Sequence, residues 1–202
     1  MVETNDYAIV DIEIGNCMTR ENWDNKKADI ILIGALLCKD GEKQTIIQIP
    51  RFKDQSKEEY ASIIKKLLDS LKKADYELYA LNRMFEQEAI ESYIGQAYTF
   101  NEVKGTFKGT LSSKDSLYGF LQKRLSLATI YDIFGGDAKV IPDYYQLYLS
   151  SGEYKFLQDI ISHNLNCLLK EYYILKNIQF LKDNVEADEK GYITKLGVDK
   201  DG

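Results

Sequence analysis

Histidine, tryptophan and proline are nearly missing from this sequence, with one, one and two residues among 202. Two prolines and 13 glycines leave no linker-like stretch, so the length fits one domain rather than two small ones. A lone histidine and three scattered cysteines (Cys17, Cys38, Cys167) do not supply the Cys/His clusters of a structural zinc site. The odd cysteine count without paired spacing argues against a disulfide framework and for a reducing, cytoplasmic setting. The longest apolar run, Ile30 to Cys38, is less than half a membrane span, which excludes a transmembrane helix and a membrane partner. Met1 to Asp6 shows no basic region leading into an apolar core, so no signal peptide is expected. No glycine-rich dinucleotide or phosphate-loop fingerprint occurs, and Gly135-Gly136-Asp137 reads as a helix-ending turn.

What is present is an ordinary globular balance, 45% hydrophobic and 29% charged, with 15 tyrosines that helical faces account for. The net charge of −6 excludes nucleic-acid binding by bulk phosphate neutralisation. Such binding needs bound metal ions or a local patch. One candidate patch is Lys104, Lys108, Lys114, Lys123 and Arg124, interleaved with Phe107, Tyr118 and Phe120; its plain alternative is a solvated face.

Tyr7–Ile14 reads as a strand, and Asp29–Cys38 as a strand covered on both faces. Asp40-Gly41 signals a hairpin into Thr45–Ile49, stopped by Pro50, so the start is an antiparallel meander. Ser56, with Glu59 three residues on, caps a helix carrying Tyr60, Ile63, Ile64, Leu67, Leu68 and Leu71. A strand over Glu77–Leu81, a helix over Phe85–Ile94 and an extended piece over Tyr98–Val103 imply parallel pairing. Helical patterns then cover Lys114–Lys123, Ser126–Phe134, Pro142–Leu149 and Glu153 to about Leu181. The expected fold is one three-layer α/β domain over residues 1–181. Residues 182–202 form a polar tail in which Tyr192-Ile193-Thr194 could add an edge strand.

The chemistry concentrates on the first strand. Side chains alternate, so Ile9, Asp11 and Glu13 share one face at its carboxyl end, where open α/β sheets place their ligand sites. Paired carboxylates there suit a hard divalent cation, or a solvent-facing strand end. Glu86 follows the Glu77–Leu81 strand in the first turn of a helix; it is either a macrodipole partner or a third acid facing the first two. Spacing of three and four puts His163, Asn166 and Lys170 on one side of the last long helix, with Leu165, Leu168, Leu169 and Tyr172 as its apolar stripe. A Cys17–His163 nucleophile pair has no local signature behind it.

From about Tyr7 to Leu175 these motifs resemble, in order and spacing, the DEDD superfamily of 3′–5′ exonucleases, closest to its YprB-like branch of predicted nucleases. Asp11-Ile12-Glu13 is similar to the first motif and Asn82-Arg83-Met84-Phe85-Glu86 to the second. Leu125–Ile130 with Phe134-Gly135 resembles a segment leading to a short helix and a glycine, and Ser162–Asn166 the third motif. The resemblance implies a ribonuclease-H-like fold, a mixed sheet with a three-strand antiparallel meander followed by parallel strands, and helices on both faces. It also implies one or two Mg²⁺ or Mn²⁺ ions held by Asp11, Glu13, Glu86 and Asn166, with His163 as general base. Single-stranded DNA or RNA would be the substrate. Three departures stand out: Glu86 replaces an aspartate, Ile14 replaces a hydroxyl residue, and the fourth acid falls on the neutral Asn166. The rival expectation is a non-catalytic ribonuclease-H-like module that binds nucleic acid or a protein partner.

Overall fold

The computed structural model describes residues 6–16, 24–103, 113–135, 137–187 and 193–196. Cys17, Lys104, Phe107, Lys108 and Tyr192, on which some sequence expectations fall, lie outside them.

The chain forms a mixed five-stranded sheet in the order β3-β2-β1-β4-β5. Strand β1 (Tyr7–Ile14) pairs antiparallel with β2 (Ile30–Lys39), which pairs antiparallel with β3 (Glu42–Pro50). The β2–β3 turn is Asp40-Gly41, both at positive φ (50° and 76°), as a tight hairpin with right-handed twist requires. On its other side β1 runs parallel to β4 (Glu77–Ala80), and β4 to the two-residue β5 (Asn101–Glu102). The expected meander followed by parallel strands is therefore present. Of the extended piece expected over residues 98–103, only those two residues are strand.

Helices cover both faces because the strands are apolar on both. Ala8, Val10, Ile12, Ile33 and Ala35 pack under helix α1 (Lys57–Lys73) and helix α2 (Arg83–Ile94) through Tyr60, Ile64, Leu68, Ala89 and Ile90. The capping box expected at Ser56 and Glu59 closes the start of α1. On the opposite face Ile9, Leu36 and Cys38 pack against helix α3 (Lys114–Leu125) and helix α5 (Tyr154–Lys176) through Leu117, Leu121, Leu168 and Tyr172. Helix α4 (Ile141–Ser151) closes the end of that face through Ile141, Tyr145 and Tyr148.

Several expectations need correction. The pattern over Ser126–Phe134 is not a helix: Ser126 ends α3 at φ 51°, and an irregular segment follows. The last helical stretch is broken at Asn177, after which helix α6 (Ile178–Asn184) follows. Ile193–Leu196 does not join the sheet edge. It forms strand β7, paired with β6 (Val185–Ala187) in a separate two-stranded ladder. Of the described members of the expected basic patch, Lys114, Tyr118 and Phe120 turn inward, while Lys123 and Arg124 stay exposed. Among the described residues no helix is long and apolar enough to cross a membrane.

Candidate functional site

Asp11 and Glu13 leave β1 toward the α5 side, where the strand's own alternation puts them beneath a helix instead of in solvent. They are 6% and 5% exposed. Burying two carboxylates demands partners. One comes from across the sheet, where Asp11, Gly34 of β2 and Gln48 of β3 lie in register. Gly34 has no side chain to hold α5 away, and Asn164 of α5 drops into the gap. A Cβ on Gly34 would overlap Asn164 Oδ1 and come within 2.8 Å of Leu168 Cδ1. From there the Asn164 amide donates to Asp11 Oδ2 at 2.8 Å and to Glu13 Oε1 at 3.4 Å. Its oxygen accepts from Gln48 Nε2 at 3.1 Å, which leaves this fully buried side chain satisfied on both ends.

Helix α3 supplies the cation. Lys114, in its first turn, places Nζ 3.2 Å from Asp11 Oδ1 and 2.7 Å from Glu171 Oε1 of α5. Burial works against the ammonium, but Asp11, Cys167 and Glu171 hold its pKa well above the ordinary value. Glu86, from the first turn of α2, is buried beside the same acids. Four buried carboxyls (Asp11, Glu13, Glu86, Glu171) thus share one ammonium. Burial, then the neighbouring carboxylates Glu171 and Asp11, push Glu86 well above its ordinary range. Burial and Asp11 do the same to Glu13. Glu171, raised chiefly by burial, is pushed up to about 8. Glu86 Oε2 and Glu171 Oε2 have no hydrogen-bond partner.

A second group adjoins the first. His163 Nδ1 lies 2.9 Å from Asp132 Oδ1, and since a carboxylate only accepts, that nitrogen carries the proton. Burial opposes the Asp132 charge, but the hydrogen bonds from His163 and the Phe134 backbone hold its pKa below the ordinary value. Nε2 is the nitrogen that faces Cys167 Sγ at 3.5 Å and Glu13 Oε1 at 4.0 Å. Lys170 Nζ bonds Asp115 at 2.6 Å and lies 3.8 Å from Asp132. Both groups open into a cleft of about 370 Å³ lined by Asn82, Lys114, Asp132, His163 and Cys167 among others. A larger open cleft along α2, about 600 Å³ with Lys26, Met84 and Glu88 in its wall, has only exposed or half-buried lining residues.

Of the residues named from sequence, Asp11, Glu13, Glu86 and His163 converge. Asn166 does not: its amide donates to the Tyr131 carbonyl at 2.7 Å, outside the acid pocket. One position on, Cys167 is the residue that faces Glu13. His163, Asn166 and Lys170 do share a side of α5, but that side holds the 131–132 segment. The acids are met by Asn164, Cys167 and Glu171, at the same helical spacing and interrupting the apolar stripe. That interruption was the available signal. Lys114 had none, since a lysine opening a helix looks solvated.

No protein-family model matches the sequence, and no curated protein matches it at a significant level.

Proposed function

We propose that this protein is a metal-dependent nuclease of ribonuclease-H-like type that shortens single-stranded nucleic acid from its 3′ end. One observation carries the reading: buried Glu86 and Glu171 oxygens lack hydrogen-bond partners among acids that share a single lysine, Lys114. An all-oxygen donor set of this kind fits Mg²⁺ or Mn²⁺. The meander followed by parallel strands agrees with the fold that the motif resemblance implies.

Asp11, Glu86 and Glu171 would hold the ion, with Glu13 alongside, once their side chains close around it, since among the described residues only Glu13, His163 and Cys167 already bring three donor atoms within 4.8 Å of one another; Asn166 has no part in it. When bound, the ion polarises the scissile phosphate and acidifies the attacking water. Asn164 orients both strand carboxylates and keeps them from rotating away. His163, its Nδ1–H held by Asp132, would take the water proton at Nε2 as the new P–O bond forms; the P–O3′ bond breaks, the released 3′-oxygen takes a proton from solvent in the cleft, and a 5′-nucleotide is freed. Lys114, at the cleft wall, would be released from Asp11 and Glu171 by the incoming ion and could then meet a phosphate oxygen.

A second reading has its own observation. Lys114 already bridges Asp11 and Glu171, as a bound cation would. A module with this internal ion pair in place of metal would bind without cutting. The experiment is incubation of 5′-labelled single-stranded DNA and RNA with Mn²⁺. The expected result is a ladder shortened from the 3′ end, lost in Asp11→Ala, and Mn²⁺ should raise the Tm of the wild type but not of that variant. Intact substrate with the wild type, together with an equal Tm response from both proteins, overturns the nuclease.

A further inference from the structure

We infer that Glu13, His163 and Cys167 form a separate site for a thiophilic cation of the Zn²⁺ or Co²⁺ kind. The inference goes beyond the nuclease reading and does not need it. One oxygen, one nitrogen and one sulfur donor, all from buried side chains, lie within 4.8 Å of one another. Bonds of about 2.0–2.3 Å set the corners of a tetrahedron about 3.3–3.7 Å apart; His163 Nε2 and Cys167 Sγ already stand at 3.5 Å, and Glu13 Oε1, 4.0 Å from Nε2, has only to move inward by a fraction of an ångström. A thiol and an imidazole select against Mg²⁺ and for borderline-soft ions.

The surrounding hydrogen bonds favour the same assignment. Asp132 holds Nδ1–H at 2.9 Å, the outer carboxylate that metal-bound histidines characteristically have, which leaves Nε2 as the nitrogen facing Sγ and Glu13 for a metal. Glu13 Oε1 is fixed by the Asn164 amide. His163 is further seated by the Phe134 ring, 5.3 Å between centroids. His163 and Cys167 both line the cleft, so an ion has an entry path and a fourth corner open to water or a ligand. The inner acids Asp11, Glu86 and Glu171 offer only oxygen, so hard and soft ions are sorted between neighbouring positions.

Co²⁺ is the probe. Added to the full chain, it should give the visible bands of tetrahedral cobalt and a near-ultraviolet sulfur-to-cobalt charge-transfer band, both displaced by one equivalent of Zn²⁺. Cys167→Ser should abolish the charge-transfer band while circular dichroism shows an unchanged fold. Asp132→Asn should keep the band but weaken Co²⁺ affinity about 10–100-fold. A featureless or octahedral spectrum with wild type overturns the site, as does a sulfur band that survives Cys167→Ser. The nuclease reading stands or falls separately, on Mn²⁺ and Asp11. If both hold, Zn²⁺ at this site occupies His163 Nε2 and inhibits the Mn²⁺-dependent reaction.

Discussion

Lys114 is the residue on which the two functional readings divide. Among the described residues its ammonium is the one positive charge in direct contact with Asp11 and Glu171, at 3.2 and 2.7 Å. Removing one partner from a buried ion pair costs about 3–5 kcal/mol, because the remaining charge has no solvent to return to. Lys114→Met should therefore lose about that much in urea unfolding with chelator present. If the acids are a metal site, Mn²⁺ should restore more stability to the variant than it adds to the wild type, since the ion no longer competes with an ammonium. An equal, small response in both proteins favours the module with an internal ion pair. At this scale the sequence was readable where alternation decides: Asp11 and Glu13 share a face because a strand has period two. It misled at Asn166 because two polar sides run along α5 one residue apart. Motif spacing does not say which of them turns to the sheet, whereas the polar breaks in the apolar stripe at Asn164, Cys167 and Glu171 do.

Elements place those residues, and the closest approach between elements is that of α5 to β2 over Gly34. A methyl group there would overlap Asn164 Oδ1, and Asn164 is itself the hinge pin between Gln48, Asp11 and Glu13. Alanine is normally the better strand residue by about 0.5–1 kcal/mol. Gly34→Ala should instead destabilise by about 1–3 kcal/mol, the cost of overpacking, and should weaken Mn²⁺ binding because the carboxylates lose their orienting amide. Chemical denaturation and calorimetric Mn²⁺ titration check the two halves; a stabilised variant with unchanged affinity would show that α5 gives way freely. Strand and helix boundaries were mostly legible, as in Tyr7–Ile14, because burial and periodicity agree there. The exception is instructive. Residues 126–134 have a helical apolar pattern, yet side chains from α3 and α5 take up their backbone. Tyr118 Oη donates to the Ala128 carbonyl and Asn166 to that of Tyr131, and His163 holds Asp132. Such tertiary bonds compete with helix formation and leave no local trace. Strand β3 starts before Thr45 for the opposite reason: Glu42 and Lys43 look like loop, but on this edge strand they pair with Lys39 and Cys38, with Gln44 bulged between them and Thr45, and all three stay exposed.

For the whole molecule, the buried acids make stability a function of pH in an unusual direction. Carboxylates that are paired at a surface stabilise a fold as pH rises; here Glu13, Glu86 and Glu171 have folded-state pKa values above the ordinary 4.5, with Glu171 at about 8. Over the interval between, the native protein holds more protons than the unfolded chain, so the slope of unfolding free energy against pH is negative. Metal-free protein should thus be more stable near pH 5 than near pH 8, losing stability progressively as these buried carboxyls are forced to ionise. Lys114 does not reverse the trend, since its own pKa lies above that window. A divalent cation changes the balance, because it binds the ionised carboxylates and gains affinity as protons leave. Melting curves between pH 5 and 8 should fall with pH in chelator and flatten or rise with saturating Mn²⁺, and Glu171→Gln should reduce the difference between the two. A chelated profile that rises across this interval would mean that the acid pocket is open to water and already neutralised. The shared demand of Asp11, Glu86 and Glu171 for a cation, which the proposed chemistry rests on, would then be gone.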